Sequence, residues 1–137
     1  MTTLPLDGLS ILVLEDEFLI AMEVEQACRD YGAAEVRICR TLNEIGAAGD
    51  VLDFDAAVVD LRLGEESAVD FARTLFETGR PFVFATGYSN PTEMSASFPE
   101  VPVLTKPYLG NDLVEALAAA VQRQAAVNRD KLITPPH

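Results

Sequence analysis

The stretch DAAVVDLRLGEE, Asp55 to Glu66, decides how this chain is read. Ala56 to Val59 are small or branched and apolar, and the run then stops on Asp60. A strand with one wet face alternates apolar and polar side chains. An unbroken apolar run of this length is instead a strand buried on both faces, of the kind found in parallel sheets covered by helices. Such a strand needs helices on either side. It also leaves a carboxylate, followed by Arg62 and Gly64, at its carboxyl end, where the residue either caps the strand or does chemistry.

Working outward, four further apolar runs appear: LSILVL (9–14), AEVRIC (34–39), PFVFAT (81–86) and VPVLT (101–105). Helical patterns lie between most of them. From Glu17 to Tyr31, Ile20, Val24 and Ala27 share one face, and Gly32 is a natural C-cap. Thr41 and Glu44 form a capping box for a short helix running towards Gly49, and Ser67 with Asp70 forms a similar cap for one closing at Gly79, before Pro81. Asn111 or Asp112 opens the last helix, whose stripe is Leu113, Leu117 and Val121. The segment NPTEMSASFPE (90–100) has two prolines and little periodicity, which predicts a short or irregular fourth helix with few buried contacts. Alternating strands and helices imply an α/β fold, a doubly wound, five-stranded parallel sheet with helices on both faces. One domain over residues 1–127 and a frayed tail over 128–137 are expected.

Bulk composition narrows the function. Hydrophobic residues make up 49% of the 137 and charged residues 23%, an ordinary globular balance. A net charge of -12 leaves no basic stripe for phosphates, so nucleic acid is not an expected partner. The opening MTTLPLDG has neither the basic flank nor the apolar core of a signal peptide, and no apolar stretch reaches membrane-spanning length. Cys28 and Cys39 lack metal or redox spacing and read as reduced, partly buried thiols of a cytoplasmic protein.

Sheets of this type bind ligands beyond the carboxyl ends of their strands. Those ends carry Glu15 and Asp16, then Asp60, then Thr86, then Lys106. Singly, each has a plain explanation as a solvated loop acid, a strand-end hydroxyl or a surface ammonium. Together they converge on one edge. Carboxylates about 4 Å apart repel by roughly 4 kcal/mol at an effective dielectric near 20, so three of them want a cation. Carboxylate oxygens favour a hard ion such as Mg²⁺ or Ca²⁺, which keeps waters and is readily shared with a phosphate. Lys106 and Thr86 then suit phosphoryl oxygens, and the set fits phosphoryl transfer onto a carboxylate.

These residues fall in motifs that resemble the receiver domain of two-component response regulators. The motifs are ILVLEDE with its acidic pair, VVDLRLG with an aspartate, the FAT strand end, and LTKPY, all in register over roughly residues 8 to 125. PFVFATGYS (81–89) is similar to the signature of a subgroup nicknamed FATGUY. The resemblance implies a flavodoxin-like strand order 2-1-3-4-5 and a cis Lys106–Pro107 bond. It implies that Asp60 accepts a phosphoryl group from a sensor histidine kinase or phosphotransfer protein. Glu15, Asp16, Asp60 and the backbone carbonyl of Arg62 would hold Mg²⁺ (or Mn²⁺), and Thr86 and Lys106 would contact the phosphoryl oxygens. Any catalysis would be confined to the chain's own Mg²⁺-dependent phosphorylation and dephosphorylation on Asp60, rather than that of a classical enzyme. Arg62 and Tyr88, each two residues past a site residue, and Pro107 would tune or switch it.

One departure stands out: where the family places an aromatic switch residue, three positions before the lysine, this chain has Val103. Tyr88, two residues past Thr86, is the aromatic offered in its place, and the segment from Gly87 to Glu100 is the expected bistable element. A haloacid-dehalogenase-type phosphatase would need an aspartate where Arg62 stands, and a nucleotide-binding module would need a glycine-rich loop where LEDEF stands. The remaining alternative is a degenerate receiver that binds partners without being phosphorylated. With the chain ending soon after its last helix, a single-domain regulator is expected, acting through a downstream target, a phosphorelay or as a phosphate sink.

Overall fold

The computed structural model describes residues 4–47, 53–63, 66–87 and 96–133. Five parallel strands form the sheet: β1 (Ser10–Leu14), β2 (Glu35–Cys39), β3 (Ala56–Val59), β6 (Phe82–Thr86) and β7 (Val103–Thr105). Their order is β2-β1-β3-β6-β7, the expected 2-1-3-4-5 once a small hairpin is set aside. That hairpin pairs β4 (Arg62–Leu63) antiparallel with β5 (Glu66–Ser67). The helices are α1 (Phe18–Asp30), α2 (Leu42–Ala47), α3 (Val69–Thr78) and α4 (Gly110–Ile133).

Side chains of a strand alternate between faces, and that alternation divides the core in two. Ile11, Val13, Val58, Val83 and Ala85 face one way and pack with Val24 and Cys28 of α1 and Leu113, Val114 and Leu117 of α4. Leu12, Leu14, Val59, Phe82 and Phe84 face the other way, towards Ile45 of α2 and Ala72 and Leu75 of α3. Every residue of β3 is buried, because both of its faces are covered. The unbroken apolar run in the sequence is the direct consequence of this double cover.

Most local signals act where expected. Gly79 caps α3 in the left-handed conformation at φ 76°, with its N–H returned to the last turn. Gly32, at φ 102°, follows α1, and a Cβ there would lie 2.9 Å from the Asp7 Cα. The Thr41 hydroxyl accepts the Glu44 N–H at 3.2 Å, whereas the Glu44 carboxylate reaches the Arg40 N–H instead of closing the box on Thr41.

Other expectations need correction. Ser67 belongs to the hairpin, and its hydroxyl accepts the Val69 N–H at 3.3 Å, so α3 begins after Ala68 and not in a Ser67–Asp70 box. Helix α4 starts at Gly110, and the Asn111 side chain accepts the Tyr31 hydroxyl at 3.1 Å rather than capping. The helix also runs past residue 127 to Ile133. Arg129, Lys131 and Leu132 there are good helix formers, and polarity alone is not a stop signal. Residues 88–95, which hold Tyr88 and the start of the expected fourth helix, lie outside the described residues. Downstream of them Phe98 is fully buried, stacked edge-on with Phe84 at 5.1 Å and Phe76 at 5.8 Å. Arg73 covers its ring at 4.5 Å. A lone aromatic without periodicity was enough to anchor this stretch, so the expectation of few buried contacts fails at its carboxyl half.

Candidate functional site

Each carboxyl end of the three central strands delivers a polar side chain into an otherwise apolar neighbourhood. Glu15, Asp60 and Thr86 are the buried polar residues among those described, exposed by 2%, 3% and 1%. Sheet hydrogen bonds carry the backbone to these positions: the Glu15 N–H donates to the Cys39 carbonyl and the Asp60 N–H to the Leu14 carbonyl, both at 3.0 Å. Thr86 pairs with Thr105, and its carbonyl accepts the Lys106 N–H at 2.9 Å. The Lys106–Pro107 bond is cis, as expected.

Lys106 ties the site together. Its ammonium lies 2.9 Å from Asp60 Oδ2 and 2.9 Å from Glu15 Oε1. A third carboxylate, the exposed Glu17, reaches it at 3.3 Å. The second oxygen of Asp60 accepts the Arg62 N–H at 3.1 Å, and Glu15 Oε2 accepts the Glu17 N–H at 3.0 Å, which satisfies a donor at the start of α1. Asp16 is half-buried, and its carbonyl accepts from Arg40 at 3.4 Å.

The electrostatics follow from burial. Desolvation pushes the Glu15 carboxyl up to about 7, against the lowering effects of the Glu17 N–H and Lys106. For Lys106, burial favours the neutral amine, but its hydrogen bonds to Asp60 and Glu15 outweigh that and hold the ammonium charged well above its usual range. The lysine is the cation that three converging acids demand.

Glu15, Asp16 and Asp60 each offer a carboxylate oxygen, all within 4.8 Å of one another. Hard oxygens at that spacing, beside the backbone of Arg62, fit a hard divalent ion. Among the described residues this is the one cluster of potential metal ligands. Cys28 and Cys39 are free and buried, and burial pushes the Cys28 thiol up to about 12.

The structure therefore brings together Glu15, Asp16, Asp60, Thr86 and Lys106, with Arg62 and Pro107 beside them. Two neighbours escaped the sequence reading. Glu17, the third acid of Glu15-Asp16-Glu17, was taken only as a helix start, although three successive acids next to a strand end were a usable signal. Tyr108 has its hydroxyl buried within the electrostatic reach of Glu15, Lys106 and Asp60. An aromatic two residues beyond the lysine gave no sign of that in the sequence.

No protein-family model matches the chain, and no curated protein matches it. Solved structures do. A CheY-like response regulator receiver domain protein from Methanospirillum hungatei is 22% identical, with 88% of this chain and 99% of that one covered and a TM-score of 0.75. The HemR receiver domain from Leptospira biflexa is 19% identical over 95% of this chain and 99% of that one, at a TM-score of 0.70. The response regulator PhyR from Brucella abortus is 28% identical over 88% of this chain, at a TM-score of 0.72, and this chain spans 51% of it. The fold is that of CheY-like receiver domains. No helix among the described residues is long and apolar enough to cross a membrane.

Proposed function

We propose that the chain is a response regulator receiver of the FATGUY type that accepts a phosphoryl group on Asp60 from a sensor histidine kinase or phosphotransfer protein. The observation that carries this reading is a buried aspartate at the end of a central strand, held 2.9 Å from a half-buried lysine and flanked by two more acids. A purely structural aspartate in that position would be expensive to bury. Here the burial is supported by a cation, and the spacing of the same oxygens with Asp16 is compatible with a second one.

In this reading Asp60 attacks the phosphorus of a phosphohistidine. An oxygen–phosphorus bond forms as the nitrogen–phosphorus bond breaks, and the electron pair leaves with the imidazole. Glu15, Asp16, Asp60 and the Arg62 carbonyl would hold Mg²⁺ (or Mn²⁺), which neutralises charge on the incoming group when bound. Lys106 exchanges its carboxylate partners for phosphoryl oxygens, and Thr86, buried beside it, donates its hydroxyl to them. Arg62 and Tyr88, each two residues past a site residue in sequence, tune the lifetime of the phosphoryl group, and Pro107 shapes the turn that aims Lys106. Exposed Phe18, Leu19 and Met22 on α1 and Leu109 after Pro107 adjoin the site residues in sequence and suit an apolar docking surface for the phosphodonor protein.

Labelling with a small phosphodonor such as acetyl phosphate tests the assignment. The wild-type protein is expected to incorporate a Mg²⁺-dependent, alkali-labile phosphoryl group that Asp60→Asn lacks. Equal labelling of both proteins overturns the assignment of Asp60, and no labelling of either by donor or kinase leaves the degenerate, binding-only receiver as the better reading. Phosphotransfer profiling against purified sensor kinases then separates a relay or sink from a regulator with a downstream target.

A further inference from the structure

Tyr108 lies two residues past Lys106, between β7 and α4. Its ring packs against the cluster that contains Val24, Leu113 and Val114. Its hydroxyl is buried and has no hydrogen-bond partner among the described residues. That is a poor use of a tyrosine where phenylalanine would fill the same space, because an unmet buried hydroxyl destabilises the form that contains it. Burial and the nearby charge of Glu15 both keep the phenol protonated, so the group is available as a donor.

Glu15 supplies the complementary need. Its oxygens are served by the Lys106 ammonium, at 2.9 and 3.2 Å, and by the Glu17 N–H at 3.0 Å. The ammonium is also shared with Asp60 and Glu17, so its three protons are already spread over three carboxylates. A phosphoryl group on Asp60 adds further anionic oxygens and draws the ammonium towards them. Glu15 then loses its strongest donor while staying buried, and each of its oxygens has lone pairs beyond those a metal would take.

We propose that Tyr108 is a positioning residue that takes over from Lys106 on Glu15. With the ammonium on the phosphoryl group, the phenolic O–H donates to the Glu15 carboxylate. The same exchange ends two unmet needs, the orphan donor and the abandoned acceptor, and both are met only in the phosphorylated form. Tyr108 therefore biases the turn that follows β7, with exposed Leu109 on it, towards one arrangement when Asp60 is modified. This inference rests on the phosphoacceptor reading of Asp60.

Tyr108→Phe removes the hydroxyl and nothing else. Wild-type and variant proteins are compared by thermal unfolding without ligand, and by titration with beryllofluoride, a phosphoryl mimic, in the presence of Mg²⁺. Without ligand the variant is expected to melt at or above the wild type, because the orphan hydroxyl is gone. Its affinity for beryllofluoride is expected to fall about tenfold, the scale of one hydrogen bond to a charged acceptor. A ring that merely fills the core would shift both forms alike. Wild-type affinity in the variant overturns the proposal, as does a ligand-free variant that melts well below the wild type, since the hydroxyl would then already be bonded. A wild-type protein that binds no beryllofluoride overturns the phosphoacceptor reading, and this inference with it.

Discussion

Replacing Lys106 with Met keeps the aliphatic stem and deletes the charge on which the site is balanced. The acidic oxygens of Glu15, Asp16 and Asp60 lie within 4.8 Å of one another. At that separation and an effective dielectric near 20, each facing pair repels by about 3.5 kcal/mol. The fold does not bear this in full, because Glu15 can take up a proton. With its carboxyl at about 7 even beside the lysine that lowers it, protonation at about pH 8 costs at most roughly 1.4 kcal/mol once that ammonium is gone. Asp60 meanwhile loses a partner at 2.9 Å, and stripping one member from a buried pair costs about 3–5 kcal/mol. A net loss of about 3 kcal/mol at about pH 8 follows, or roughly 10 °C in melting temperature for a domain of this size. The pH dependence has a definite sign. A carboxyl whose folded value is raised, here from 4.5 to about 7, stabilises the fold fully below the unfolded value and loses that contribution as pH rises through about 7. Acidification from about pH 8 to pH 5.5 should therefore recover more stability in the variant than in the wild type. Millimolar Mg²⁺ should restore part of the loss at alkaline pH. The assay is thermal denaturation of both proteins at the two pH values, with and without Mg²⁺. A metal-free Lys106→Met protein that melts with the wild type at the alkaline pH refutes the reasoning.

Metal affinity should track the same carboxyl. Since Glu15 must shed its proton to bind a cation, Mg²⁺ should bind about tenfold more weakly at about pH 6 than at about pH 8, and a titration that is flat across that range removes Glu15 from the ligand set. Phe98→Ala should destabilise by about 3–5 kcal/mol in urea denaturation, because the ring is fully buried against Phe84; a loss under about 1 kcal/mol would mean that it does not anchor the segment. Arg62→Ala and Tyr88→Ala should each change the decay of the phosphorylated protein more than its formation, measured by phosphate release, and unchanged decay in both makes them ordinary surface residues.

The fold was legible because its rules are local. Apolar runs with no polar break named the buried strands, and Gly79 stopped a helix for a steric reason that any sequence shows. The places where the reading slipped share a different cause. Ser67 has the chemistry of an N-cap, but antiparallel pairing with Arg62 claimed it first. Phe98 has no periodic neighbours to mark it, and only the approach of Phe82, Phe84 and Arg73 from distant segments makes it a core residue. The end of α4 was misjudged by reading polarity as fraying. A solvated helix needs propensity, not an apolar stripe, to persist for a few turns beyond the core.

The site shows the same division more sharply. Sequence placed five groups on one edge because topology alone puts strand ends together. It could not say which carboxylate the lysine would choose, since that depends on distances of about 3 Å between residues 46 and 91 positions apart. The structure answers that it chooses three at once. A lysine so engaged is the support that lets Glu15 and Asp60 be buried and, in the proposed function, the competitor that a metal ion or a phosphoryl group must displace. On that reading the metal-free state is held by the same ammonium that the modified state needs elsewhere. Under the proposed function, signalling does not require a separate aromatic at Val103, because moving one charge already rewrites the hydrogen bonding of Glu15, Glu17 and, by our inference, Tyr108.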